Sequence, residues 1–301
     1  MKPLYIYFLA ASLACTSCSD SWLDLNPSTS VPTDQAFSSL EDAQSALNGI
    51  YRLASAHSYY GDNFFYFGDC RAADVQARMT KGDGRRVSPY YEYNVKATDS
   101  FNSSLPWNQV YKVIRQTNNL IAATESGLIK TTDEAALNEI KAQALAMRGL
   151  ALYDLIRVFA MPYSYDNGQS LGVPIVTTAT DQSSKPARNT VAECYDQIIT
   201  DLTNSLAGLS KEKKDGCLNY WAVQGILSRV YLNKLDYPNA YKAATDIIEN
   251  SKSLYQLYTL DEYSTVWGKE YTSESLFEFY FSLTEPSGGS GWRRSSYGLC
   301  Q

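Results

Sequence analysis

The side chains able to do chemistry are scarce in one respect and crowded in another. The 301-residue chain holds one histidine, His57. A single imidazole cannot build a multi-histidine metal site or an H-E-x-x-H helix, and it leaves most histidine-based catalytic centres without their members. Cys70, Cys194, Cys217 and Cys300 show no C-x-x-C pair, so a zinc site is not expected. Carboxylate pairs of the kind a glycosidase uses can be found, Asp69 with Asp74 for example. A chain with 32 acids offers many such pairs, so no catalytic residue is assigned. No metal and no cofactor are expected. The crowding is aromatic. There are 24 tyrosines, and residues 57–107 hold 11 aromatics in 51 positions, about 22% against 13% for the whole chain. Asp69, Arg71, Asp74, Arg78 and Asn102 stand among them. Such rings either pack between helices or present amphipathic faces to a ligand.

Composition narrows the classes further. Hydrophobic residues are 45% and charged residues 19%, enough apolar material for a sizeable core. Lys+Arg number 26 against 32 Asp+Glu, a net charge of −6. A nucleic-acid surface needs a basic excess to neutralise phosphates, so that partner class is excluded.

Residues 1–17 read as an address. Lys2 supplies a positive start, and Leu4–Ala14 is an 11-residue apolar run, too short for the ~20 residues a bilayer span needs. It leads into Cys15-Thr16-Ser17-Cys18. A small residue before a Cys after such a run reads as a bacterial lipoprotein cleavage site. Cys18 is the expected lipidation position, Cys15 the alternative, and an ordinary secretory signal the plainer reading. Several acyl chains on one Cys anchor durably. Processing at Cys18 removes Lys2 and no acid, leaving −7.

The elements that must position the aromatic segment are helices. Ser38-x-x-Glu41 reads as a capping box before Leu40, Ala43, Leu47, Ile50 and Tyr51 at helical spacing. A second helix is predicted over Trp107–Thr124, and a third, opened by Thr131-x-x-Glu134, reaches Ala160 before Pro162. Its second half, from Ala142, is apolar nearly all round, as in the middle of a helical stack. Thr190-x-x-Glu193 caps a fourth, ended by Gly208. Tyr220–Leu235 and Pro238–Asn250 form a hairpin with the spacing of a tetratricopeptide repeat. Small residues at 228, 240 and 244 would let its helices approach, and Tyr231 would fill the groove. The pair at 132–160 and 190–207 is expected to be looser. Residues 57–106 show no helix longer than two turns, 161–189 form a Pro/Gly/Ser-rich connection, 276–283 read as one short strand, and 284–301 have loop composition. The fold class is all-α, with tetratricopeptide-like helix pairs, long loop insertions on one face and little strand. Cys194 and Cys217 read as small buried hydrophobes, and no disulfide pairing can be assigned.

These segments, in this order, resemble the SusD/RagB family of outer-membrane lipoproteins. The likeness begins at Cys18-Ser19-Asp20-Ser21-Trp22-Leu23-Asp24. It continues through Thr33–Tyr51, Trp107–Ile121, Ala142–Tyr163, Gly172–Val176, Arg188–Leu202 and the hairpin at 220–250. The resemblance implies a nutrient-binding protein without catalytic activity. It would be lipid-anchored on the outer membrane, facing the cell exterior, and would hand glycans to a SusC-like TonB-dependent transporter. A peptide or protein receptor of the same family, or a transporter-capping helical scaffold without its own ligand, are the alternatives. Family chains are longer, so the resemblance covers their N-terminal half to two-thirds. It implies one domain over 18–301 that is incomplete at its C-terminus.

Sugars offer flat C–H faces and a rim of hydroxyls, which call for aromatic platforms and polar side chains beside them. Gly68–Arg78 resembles a family segment of the Arg-x-x-Asp type near the ligand in glycan-binding members. Asp74 and Arg78 are therefore the expected polar contacts. Tyr90, Tyr91 and Trp107 are the expected platforms, with Trp292 between glycines a further one. Against this, Trp107 starts a helix and can simply pack, Phe64–Phe67 suit a core, and Arg71 can pair with Asp74.

Overall fold

The helix that is apolar on every side sits at the centre. The computed structural model describes residues 37–61, 63–72, 88–94, 106–178 and 184–281. In chain order the helices are α1 (Leu40–Ala54), α2 (Asn63–Ala72), the single turn α3 (Ser88–Tyr91), α4 (Trp107–Glu125), α5 (Glu134–Phe159), α6 (Val191–Leu206), α7 (Tyr220–Asn233), α8 (Tyr237–Asn250) and the turn α9 (Leu260–Tyr263). α5 packs against α1, α4 and α6, and from Ala142 to Ile156 every residue but Leu145 is buried. Burying each Leu or Ile there contributes about 1.5–3 kcal/mol. The all-α, tetratricopeptide-like expectation holds. Two isolated bridges, Ser39 with Lys130 and Leu171 with Thr190, are the only β pairing among the described residues. No described helix is long and apolar enough to cross a membrane.

Local chemistry sets the helix starts. At α1 the box is Ser39 with Asp42, one residue beyond the predicted Ser38 and Glu41. The Ser39 hydroxyl accepts from the Asp42 N–H at 3.1 Å, and the Asp42 carboxylate accepts from the Ser39 N–H at 3.0 Å. Ser38 adds its own hydroxyl to that carboxylate at 2.8 Å. At α5 the cap is Asp133, which takes the Ala136 N–H at 2.9 Å, while Thr131 holds the Asp133 N–H. A carboxylate two residues closer to the helix wins over the hydroxyl. At α6 the predicted Thr190–Glu193 box is present.

Four expectations change. The α5–α6 pair is close: a Cβ on Gly149 would stand 2.9 Å from Leu202 Cγ, so the missing side chain sets the approach. In the α7–α8 hairpin the buried small residues are Ala240 and Ala243, with Ala244 half-buried, and Tyr231 packs against the core. Residues 57–106 contain a π-turn (His57–Gly61) and the ten-residue α2, longer than two turns. Residues 276–281 form no strand. Phe277 instead lies 4.7 Å from Phe279 and 6.2 Å from Tyr51, and ring packing takes the place of a ladder. Cys70 and Cys194 are buried, Cys217 is half-buried, and all three are free thiols.

Candidate ligand-binding surface

The aromatic segment has a rigid floor. Tyr59 and Tyr60 are buried, and both hydroxyls donate to Asp154 Oδ2 of α5, at 2.5 and 2.6 Å. Asp154 Oδ1 accepts from Arg157. The Arg157 guanidinium lies 5.4 Å from the Phe64 ring and 4.6 Å from the Tyr153 ring, and Phe64 meets Tyr59 edge-on at 5.7 Å. Burial, and then the Asp154 charge, hold both phenols well above the usual tyrosine range. They stay protonated donors, so the buried carboxylate keeps its partners.

On this floor rest α2 and α3. Tyr90 is 4% exposed and meets Phe67 edge-on at 5.5 Å. Burial raises its phenol pKa. The structure therefore places Tyr90 in the packing and opens its neighbours: Tyr91 is 36% exposed and Tyr93 68%. Tyr93 has φ 53°, a region few non-glycine residues adopt. It is held there by donating its hydroxyl to the Arg71 carbonyl. The Arg71 guanidinium lies 4.7 Å from the Phe67 ring and 6.0 Å from the Tyr93 ring. Tyr93 was not singled out from sequence. The signal available was its place three residues after Tyr90, past the end of a single helical turn.

Trp107 opens α4 and does two things at once. It packs edge-on against Phe159 at 4.9 Å and lies 5.0 Å from Tyr111. Its remaining surface lines a cleft of about 360 Å³ with Tyr111, Ile114, Arg115, Pro174, Val176, Thr178 and Pro186. That is within the size range of small-ligand sites. One wall is the extended run 174–178, and a buried polar network fixes it. Arg148 of α5 makes a two-pronged ion pair with Asp201 of α6, at 2.8 and 2.6 Å. Its other nitrogen donates to Asn118 Oδ1 at 2.9 Å and to the Thr177 carbonyl at 3.1 Å. Asn118 donates to the Val176 and Thr178 carbonyls, and the Tyr111 hydroxyl to that of Pro174 at 2.9 Å. Sequence reasoning passed over Arg148 and Asp201, because one charge in a largely apolar helix reads as an interruption until its partner is seen.

Asp74, Arg78, Trp292 and Cys18 lie outside the described residues. No group of three or more His, Cys, Asp or Glu suited to a metal ion occurs among the described ones.

The SusD-like family model, described as starch-binding associating with outer membrane, matches residues 21–232. A SusD-like protein of Bacteroides ovatus is 26% identical over 262 residues, covering 83% of this chain and 45% of its own. A crystal structure of a SusD superfamily protein from Bacteroides thetaiotaomicron is 63% identical with TM-score 0.80, covering 84% of this chain and 55% of that one. A laminarin-binding SusD-like protein, 20% identical with TM-score 0.66 over 80% of this chain and 51% of its own, shares the fold. The chain thus spans about half the length of the relatives it matches.

Proposed function

The chain belongs to the SusD-like family, and from that premise we propose that it captures glycans at the cell surface and passes them to a SusC-like TonB-dependent transporter. It binds without cleaving bonds. The observation that carries this reading is the pairing of open rings with a rigid base. Tyr91 and Tyr93 stand exposed on a locked aromatic floor. Trp107 lines a cleft whose wall is fixed by buried hydrogen bonds. A flat sugar face stacks on such rings, and rigid rings lose little entropy on binding. Arg115 at the cleft and Arg71 beside Tyr93 supply hydrogen-bond donors for the hydroxyl rim. The family description, which names starch and the outer membrane, and the laminarin-binding fold neighbour support the class of ligand and the location. In this reading Cys18 carries the lipid anchor, and Asp74, Arg78 and Trp292 extend the surface.

Affinity electrophoresis through gels containing starch, laminarin and other polysaccharides tests it. Retardation by at least one glycan is expected, reduced in Tyr93→Ala and Trp107→Ala. Free migration through every glycan, with retention of a peptide in a parallel panel, would assign the surface to the peptide-receiving class instead.

A further inference from the structure

We propose that the Trp107 cleft selects glycans that carry a negative charge, a ring carboxylate or a sulfate, and that Arg115 is the residue that reads it. Resting on the glycan-capture reading, this narrows the ligand to acidic sugars. Donors outnumber acceptors in the cleft. Of its polar side chains, Trp107 and Arg115 can only donate, and the hydroxyls of Tyr111 and Thr178 are the acceptors. No carboxylate or carboxamide lines it among the described residues. The backbone of the extended wall is already engaged. The Pro174 carbonyl takes the Tyr111 hydroxyl, those of Val176 and Thr178 take Asn118, and that of Thr177 takes Arg148. Neutral sugar hydroxyls donate as well as accept, so a site for them needs free acceptors beside its donors. A carboxylate or sulfate only accepts, which matches this set, and its bond to a guanidinium is charge-assisted and the stronger for it.

The charges nearby point the same way. The whole chain carries −6, yet α4 has no acid before Glu125, and exposed Lys112 stands one turn before Arg115. Arg148 and Arg157 are each paired with an aspartate; Arg115 makes no ion pair among the described residues. Behind the cleft, Arg188 donates to the carbonyls of Gly172 and Phe159, at 2.5 and 2.6 Å, so neutral acceptors hold it. Phe159 is the ring against which Trp107 packs. The Arg188 charge reaches the cleft lining: burial raises the Tyr111 phenol pKa, and Arg188 opposes that rise. A positive spot on a negative protein favours the approach of an anion.

The test is calorimetric titration of the full chain with acidic polysaccharides (polygalacturonate, alginate, chondroitin sulfate) and neutral ones (starch, laminarin), on wild type, Arg115→Gln and Arg115→Lys. At least one acidic glycan is expected to bind wild type about tenfold or more tightly than either neutral one. Arg115→Gln should remove that preference and leave neutral binding unchanged, and Arg115→Lys should restore part of it. Circular dichroism should be the same for all three proteins, since Arg115 is exposed. Raising the salt from about 0.05 to about 0.5 M should weaken the acidic ligand only. Binding of the uronates alone, or of the sulfated glycan alone, would support the proposal and name the group that is read. A methyl-esterified uronate that binds as tightly as the free acid, or an acidic glycan held equally by Arg115→Gln, would overturn it. Neutral glycans bound as tightly as acidic ones would overturn it and leave glycan capture standing, whereas no binding of any glycan would overturn both.

Discussion

Asp201→Ala should be among the most damaging single changes, although Asp201 touches no solvent-facing surface. Its side chain is 2% exposed and that of Arg148 9%. Removing the carboxylate leaves a buried guanidinium short of its two-pronged partner. Breaking a buried ion pair from one side costs about 3–5 kcal/mol. The Arg148 contacts to Asn118 and Thr177 survive, which pulls the loss towards the lower figure. Gln197 also loses its acceptor on Asp201, at 2.9 Å, which adds to it. About 3 kcal/mol is expected, roughly a hundredfold in the folding equilibrium. Urea unfolding followed by circular dichroism at 222 nm reads this directly, as a lower midpoint at unchanged slope. Arg148→Met with Asp201→Leu should recover much of the loss, since an apolar pair removes both charges together. Hydrogen exchange in 174–178 should quicken in the single variant, because Arg148 grips that run. A loss below about 1 kcal/mol in Asp201→Ala, or a double variant no better than the single, would refute the view that a desolvated charge pair organises this wall.

Other outcomes follow from the same geometry. Gly149→Ala should destabilise by about 1–3 kcal/mol in thermal melts, despite alanine's helix preference, because its Cβ would meet Leu202 at 2.9 Å. Asp154→Ala should cost about 3 kcal/mol or more by urea unfolding, since it orphans two buried phenols and a guanidinium. Tyr51, Tyr59 and Tyr60 have phenol pKa values raised above 10.0 by burial. Unfolded phenols ionise near pH 10 and folded ones later, so the folded state holds more protons there. Stability should be flat below that pH and fall as pH rises beyond it. Absorbance of tyrosinate at 295 nm should then rise together with unfolding for the buried rings.

Much of the helical frame was legible because burial writes itself into spacing. α1, α4, α6 and the α7–α8 hairpin carry apolar residues at three and four, and α5 announces its central place by being apolar all round. α2 was not legible. Its sequence, NFFYFGDCRA, puts aromatics at successive positions, so no helical stripe stands out even though Phe64 and Phe65 pack against the core. Residues 276–281, LFEFYF, read as a strand because they form a short run rich in aromatic residues. Phe277 is buried and Phe279 packs against the core, and a ladder partner is a long-range matter that composition does not carry. In the site, aromatic enrichment located the right region. It could not tell Tyr90, buried on Phe67, from Tyr93, exposed past the turn, since that choice depends on where a four-residue helix ends. The Arg148–Asp201 pair spans 53 residues and was equally out of reach.

The most direct measurement is calorimetric titration with the polysaccharide that most retards the protein, on wild type, Tyr93→Ala, Trp107→Ala and, as a control on an exposed ring elsewhere, Tyr237→Ala. Saturable binding by wild type is expected, weakened about tenfold or more in Tyr93→Ala and Trp107→Ala and unchanged in Tyr237→Ala. Equal affinity across all four proteins, or no heat with any glycan, would contradict glycan capture on this surface.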